Sequence, residues 1–261
     1  MFVHPTAILS DQTEVAKGAT IGPYVVTKGQ VKIGKGTVVN SHLVIGSDRL
    51  IVEIGENNHF MSSSVIGGPP QDLTYKGEST KLIIGNNNVI REFCTLNAGT
   101  EKGGGVTRIG DNCLLMAYVH VAHDCTIKNH VIVANNTHFA GHIVVEDYVK
   151  IGGGCLFAQF TTLGTHCYIA GDTTIDKDVM PYTIAYNGSR GTIRSTNKVG
   201  LERAGFSKEE INNIHKAIRT VTKDEHLLEE AVVKIEQECE PSNHIKHIVD
   251  FIKNSKRGIV R

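Results

Sequence analysis

Read in blocks of six from Ile109, residues 109–180 run IGDNCL LMAYVH VAHDCT IKNHVI VANNTH FAGHIV VEDYVK IGGGCL FAQFTT LGTHCY IAGDTT IDKDVM. The first place of every block is apolar: Ile109, Leu115, Val121, Ile127, Val133, Phe139, Val145, Ile151, Phe157, Leu163, Ile169 and Ile175. The fifth place is small or β-branched, from Cys113 through Val119, Cys125 and Val131 to Val179. Two places per block therefore point inward. A period of six is neither 3.6 nor 2, so it excludes an amphipathic helix and predicts short strands joined by tight corners in a parallel β-helix. With three blocks to a triangular coil, residues 18 apart stack at the ordinary strand spacing of about 4.8 Å.

The same ladder opens the chain at Val3, Leu9, Val15, Ile21, Thr27, Ile33, Val39 and Ile45, with Thr27 as its one polar rung. It resumes after slips at Ile54, Phe60 and Ile66, and again at Ile84, Ile90 and Leu96. These 26 rungs predict about nine coils. Gly67 to Lys81 and Asn97 to Arg108 break the pattern with loops rich in Gly, Pro and charge, where a rigid solenoid builds binding sites. The ladder stops near Val179 and Pro181. Residues 182–198 carry no period and are expected to be a linker between a β-helix over 1–181 and a small helical domain over 199–261. There, Ser207 with Glu210 forms a capping box ahead of Ile211, Ile214, Ile218 and Val221. A second helix follows through Leu227, Leu228, Ala231 and Ile235, and Pro241 with Ser242 starts a third through Ile245, Ile248, Val249 and Ile252. The fold class is mostly β with a C-terminal α-helical part.

Composition narrows the function classes. Lys plus Arg and Asp plus Glu are both 27 in 261 residues, so no net field recruits nucleic acid or an anionic membrane. No apolar run reaches the roughly 18 residues of a membrane span, and Met1 to Pro5 lack the start of a signal peptide, which points to a cytoplasmic protein without stable membrane insertion. Trp is absent. Five of the six cysteines, Cys94, Cys113, Cys125, Cys155 and Cys167, fall in the inward fifth place and read as small packing residues; Cys239 lies beyond the ladder. There is no C-x-x-C pair, and no metal is expected.

The 18-residue repeat stacks His123, Gly141 and Gln159 in one column and Asp124, His142 and Phe160 in the next, with His120 one corner away. Imidazole, carboxylate, amide and bare backbone together suit general base catalysis. Histidine takes a proton from a hydroxyl near neutral pH, and a Gly141 N–H can hold an oxyanion. Gly153 and Gly171 form another vertical pair, read either as tight corners needing φ > 0 or as the bare floor of a groove.

HVAHDC at 120–125, GGPPQDL at 67–73, AGH at 140–142, Gln159 with Phe160, and the closing RGIVR at 257–261 stand together in this chain. In combination they resemble the UDP-N-acetylglucosamine O-acyltransferases that begin lipid A synthesis, and the similarity runs from Phe2 to Arg261. The resemblance implies a left-handed β-helix, a homotrimer with sites between neighbouring β-helices, and transfer of a (3-hydroxy)acyl chain from acyl carrier protein to the sugar 3-hydroxyl. The chain would travel as a thioester of the carrier's phosphopantetheine, with no resident cofactor. It implies His123 as general base, Asp124 as its partner and the Gly141 backbone as oxyanion donor. Asp72, His120, His142, Gln159, Asn197 and Arg203 would contact the nucleotide sugar or the donor, and Gly171, above Gly153, would leave the groove open to a long chain. Thr74, Ala158 and Val199 depart from the family's usual Lys, His and Glu, with Lys76 a candidate replacement for the first.

Three other readings stand beside this one. The related glucosamine N-acyltransferase carries a further N-terminal domain, for which hexads beginning at Val3 leave no space. A β-helix carbonic anhydrase would use His120, His123 and His142 on zinc. A paralogue altered at residues 74, 158 and 199 would act on a variant nucleotide sugar or only bind it.

Overall fold

The protein is described by a computed structural model covering residues 1–186, 191–222 and 227–261. Among the described residues, three sheets of eleven, eight and eight strands form the walls of a parallel β-helix, in which every strand except the last of the eleven pairs in parallel with a strand one coil away. His120 pairs with His138 and His138 with Leu156, the 18-residue step read from the repeat. All twelve rungs from Ile109 to Ile175 are at most 3% exposed, and the fifth-place residues from Cys113 to Val179 at most 2%, so both inward places do fill one narrow core. Thr27 is satisfied inside that core by the Ser10 N–H at 2.8 Å and the Thr13 hydroxyl at 2.6 Å. The buried Cys113, Cys125 and Cys155 thiols each reach a backbone oxygen at 3.1 Å, and burial raises their pKa values, which makes them inert packing groups.

Most of the corners are built without glycine. The fourth place of eleven consecutive hexads, Asn112 to Asp172, is left-handed with φ from 54° to 74°, and only Gly154 among them is glycine. Asp124 (61°), His142 (62°) and Phe160 (65°) are among these residues. An L-residue in this region costs about 1–2 kcal/mol, which the surrounding ladder offsets. Gly153 and Gly171 are not in it. The backbone therefore does not demand glycine at either position, and the tight-corner reading is set aside.

The slips are insertions between coils. Strand partners step by 21 residues from Val44 to Val65, by 30 from Val65 to Thr95 and by 25 from Thr95 to His120 before settling at 18. The last two steps place the extra chain in the loops expected at 67–81 and 97–108.

Residues 182–198 are not a plain linker. Thr183–Tyr186 continues one wall in parallel and then pairs antiparallel with Thr192–Thr196; residues 187–190 lie outside the described residues. Four helices follow among the described residues: α1 (Lys198–Arg203), α2 (Lys208–Thr222), α3 (Leu228–Glu238) and α4 (Asn243–Asn254). The short α1 has no counterpart in the sequence reading. The capping box at α2 is reciprocal, with Ser207 N–H to Glu210 at 2.8 Å and Glu210 N–H to Ser207 at 3.1 Å, and Ser242 caps α4 through the Ile245 N–H. Leu227 precedes α3 and is 70% exposed, so it does not share the buried face of Ala231 and Ile235. Met180 and Tyr182 join the helices' apolar core, and His247 of α4 meets Glu146 of the β-helix at 2.8 Å, which docks the helices on the prism.

Candidate active site

His123 and Asp124 lie at one corner of the prism, with side chains 5% and 0% exposed. The His123 Nδ1–H donates to Asp124 Oδ2 at 2.8 Å, which fixes the tautomer and leaves Nε2 as the basic nitrogen. Asp124 also accepts from the Thr100 N–H on Oδ1 at 2.8 Å and from the Thr100 hydroxyl on Oδ2 at 2.7 Å. One coil up, His142 stands edge-on to His123 with ring centres 5.2 Å apart, its Nε2 is 3.7 Å from Asp124 Oδ2, and Phe160 stacks on it at 4.5 Å. Gly141 sits directly over the His123 ring, where a Cβ would come within 2.6 Å of Cε1. Its N–H has no protein acceptor among the described residues.

Two further expected residues face this corner. The His120 Nδ1 pairs with the Thr95 hydroxyl at 2.7 Å, and burial, with His138 and His123 nearby, lowers its pKa. Asp72 is reached from the 67–81 loop. The Thr74 N–H, 2.7 Å from Oδ1, and the Thr74 hydroxyl hold its carboxyl below the usual range, and His123 and Lys102 act in the same direction. Thr74 thus fastens Asp72 in a local turn rather than presenting a side-chain cation. Gln159 is exposed one level above Gly141.

The other expected residues lie elsewhere on the same chain. The Asn197 side chain caps α1 through the Gly200 N–H at 3.2 Å and donates to the His166 carbonyl at 2.9 Å. With Arg203 it lines a cavity of about 440 Å³ that also includes Tyr148, Lys150, His166 and Phe206. That cavity is on the corner where Tyr148 and His166 stack, not the His142–Phe160 corner. Gly153 and Gly171 form a third column, and a Cβ at Gly171 would meet only the Gly153 backbone. The eleven residues expected at the site therefore divide among three corners.

The zinc arrangement of His120, His123 and His142 is not the one assembled. Among the described residues, the groups whose ligand atoms lie within 4.8 Å of one another are His123, Asp124 and His142, and the Asp124 oxygens already accept from Thr100 and His123.

Family models for the bacterial transferase hexapeptide match residues 107–141, and those for domain 2 of UDP-N-acetylglucosamine O-acyltransferase match residues 178–260. The acyl-[acyl-carrier-protein]–UDP-N-acetylglucosamine O-acyltransferase of Thermodesulfovibrio yellowstonii is 44% identical over 99% of both chains. That of Saccharophagus degradans is 45% identical over 100% of this chain and 99% of its own. The chain belongs to this acyltransferase family. Among solved structures, the UDP-N-acetylglucosamine O-acyltransferase of Moraxella catarrhalis superposes with a TM-score of 0.96 at 39% identity, and the Arabidopsis enzyme with 0.91 at 32%, each over 100% of both chains. No described helix of this acyltransferase is long and apolar enough to cross a membrane.

The sequence reading of the acyltransferase missed Thr95, Thr100 and Thr107, whose hydroxyls hold His120, Asp124 and the Asp124 N–H. All three lie before or inside the 97–108 insertion, where the 18-residue stacking rule does not hold. The only available signal was the loop itself.

Proposed function

We infer that this chain transfers an acyl group from acyl carrier protein to the 3-position of UDP-N-acetylglucosamine, the first step of lipid A biosynthesis. The observation carrying the reading is the buried His123–Asp124 pair under the bare Gly141 backbone, in a chain similar over its whole length to enzymes of that name. His123 Nε2 takes the proton of the sugar 3-hydroxyl as its oxygen attacks the thioester carbonyl. The Gly141 N–H stabilises the oxyanion that forms, and the His123 imidazolium, held by Asp124, returns the proton to the departing phosphopantetheine thiolate. The donor's phosphopantetheine arrives and leaves with its carrier, so the reading requires no resident cofactor or metal.

Asp72, His120, His142 and Gln159 are assigned to the nucleotide sugar or donor on the His123 corner, and Asn197 and Arg203 to the same substrates from a second corner. Gly171, above Gly153, opens a groove for the acyl chain. A homotrimer, which would bring corners of neighbouring copies together, and a cytoplasmic location belong to the same proposal. The paralogue reading has less support, since the Asp72 carboxyl is held in place by Thr74 itself. Nothing in the structure offsets Val199 or Ala158.

The test is to incubate the purified protein with UDP-N-acetylglucosamine and a panel of 3-hydroxyacyl carrier proteins and read product masses. One added acyl group is expected with at least one donor. Absence of product across the panel, with intact nucleotide sugar bound, would instead favour the binding paralogue.

A further inference from the structure

The 97–108 loop has the composition of a substrate-binding insertion, yet its buried contacts run inward to the catalytic pair. Thr100 is 4% exposed and places two donors on one carboxylate: its N–H on Asp124 Oδ1 at 2.8 Å and its hydroxyl on Oδ2 at 2.7 Å. That same Oδ2 accepts the His123 Nδ1–H. Thr100 is itself fixed by the turn it opens. Its hydroxyl accepts the Gly103 N–H at 3.1 Å as the cap of the 3₁₀ turn Glu101–Gly103, and its carbonyl accepts the Gly105 N–H at 2.7 Å. Gly103 lies against the Asp124 carboxylate so closely that any Cβ there would collide with it. On the far side of the loop, the Thr107 hydroxyl accepts the Asp124 N–H at 2.8 Å.

We propose that Thr100 is a positioning residue for acyl transfer: it orients the Asp124 carboxylate so that His123 keeps its proton on Nδ1 and its Nε2 toward the substrate. The proposal rests on the assignment of His123 as general base. With both Asp124 oxygens tied to one buried residue, Thr100, the carboxylate cannot rotate away from the imidazole, and ring orientation in a catalytic pair is set by such partners. The hydroxyl also shares Oδ2 with His123 and so moderates how strongly the carboxylate binds the imidazolium. Among the described residues, His120, His142 and Asp72 also lie near His123, with Lys102 of the turn acting on Asp72, and none of these side chains hydrogen-bonds Thr100.

The experiment compares Thr100→Val, Thr100→Ser, Gly103→Ala and His123→Ala with the unaltered protein, measuring kcat, KM for each substrate, the pH profile of kcat/KM and thermal melting. Thr100→Val is expected to lower kcat by roughly tenfold to a hundredfold, the range for losing a hydrogen bond to a charged group. Its KM values should stay within about twofold, as for an interaction made in the transition state. Its acidic limb should move, because the carboxylate that pairs with His123 has lost one of its two Thr100 donors. Thr100→Ser should recover both rate and limb, and Gly103→Ala, which crowds Asp124 while leaving Thr100 in place, should lower kcat. A folded Thr100→Val with unaltered kcat and pH profile overturns the proposal while leaving the base assignment intact if His123→Ala is inactive. Equal losses in Val and Ser variants with an unmoved limb would mean a structural role only, and also overturn it. Substantial turnover by His123→Ala would overturn the base assignment and the proposal together.

Discussion

At the scale of single residues, Gly141 matters through the side chain it lacks. A Cβ there would stand 2.6 Å from Cε1 and 2.9 Å from Nε2 of His123, so Gly141→Ala must displace the imidazole. The backbone is outside the left-handed region at Gly141, so the protein should still fold. We expect kcat to fall by about a hundredfold, the scale of a 1 Å misplacement, with the melting temperature little changed; a normal rate would remove Gly141 from the site. Gly171 makes a second case. Methionine there projects where only the Gly153 backbone is near, and each methylene it keeps out of the groove forfeits about 0.8 kcal/mol. Loss of about four methylenes of contact disfavours a long donor by roughly a hundredfold. The kcat/KM ratio for C10 against C14 hydroxyacyl donors should therefore rise in Gly171→Met, and an unchanged ratio would mean the chain does not pass residue 171. The vertical relations behind both predictions were legible because 18-residue stacking follows from the repeat alone. The hold of Thr100 on Asp124 was not, since the 25-residue step between Thr95 and His120 breaks that phase.

Secondary-structure elements were legible wherever a period or a cap announced them. Ser207 with Glu210, and Ser242, carry their capping chemistry in side chains and could be read directly. The Thr183–Tyr186 and Thr192–Thr196 pair and the six-residue α1 could not, because they are shorter than the patterns that reveal strands and helices and are held by what they pack on. His166 lies at that junction, stacked on Tyr148 at 4.7 Å and edge-on to Phe206 at 5.2 Å. Burial, with the charges of His244 and Lys150, lowers its pKa to about 4. In the unfolded chain it is near 6.5, so as pH falls the unfolded state binds the proton first. The stability from keeping this ring neutral is complete above about pH 6.5 and is lost progressively down to about 4. Thermal melting across that window should fall more steeply for the unaltered protein than for His166→Gln, which has no proton to take up. Parallel curves would show that the junction does not depend on the neutral ring.

For the whole molecule, the decisive feature is that the expected site residues divide among three corners of one prism, with His123 on one and Asn197 with Arg203 on another. Three copies around a threefold axis can bring unlike corners together, and sedimentation should give three times the 28.4 kDa chain mass. A further consequence is complementation. Inactive His123→Ala chains mixed and reassembled with inactive Asn197→Ala chains should regain part of the activity, because some interfaces then pair an intact corner from each; no recovery in mixed trimers would place the whole site within one chain. The most direct test of the account as a whole is the rate of acyl transfer to UDP-N-acetylglucosamine by His123→Ala beside the unaltered protein, with whichever hydroxyacyl donor turns over best. The expected result is a folded variant slowed by about two orders of magnitude or more, the usual contribution of a positioned base, and a near-normal rate with unaltered pH dependence would contradict it.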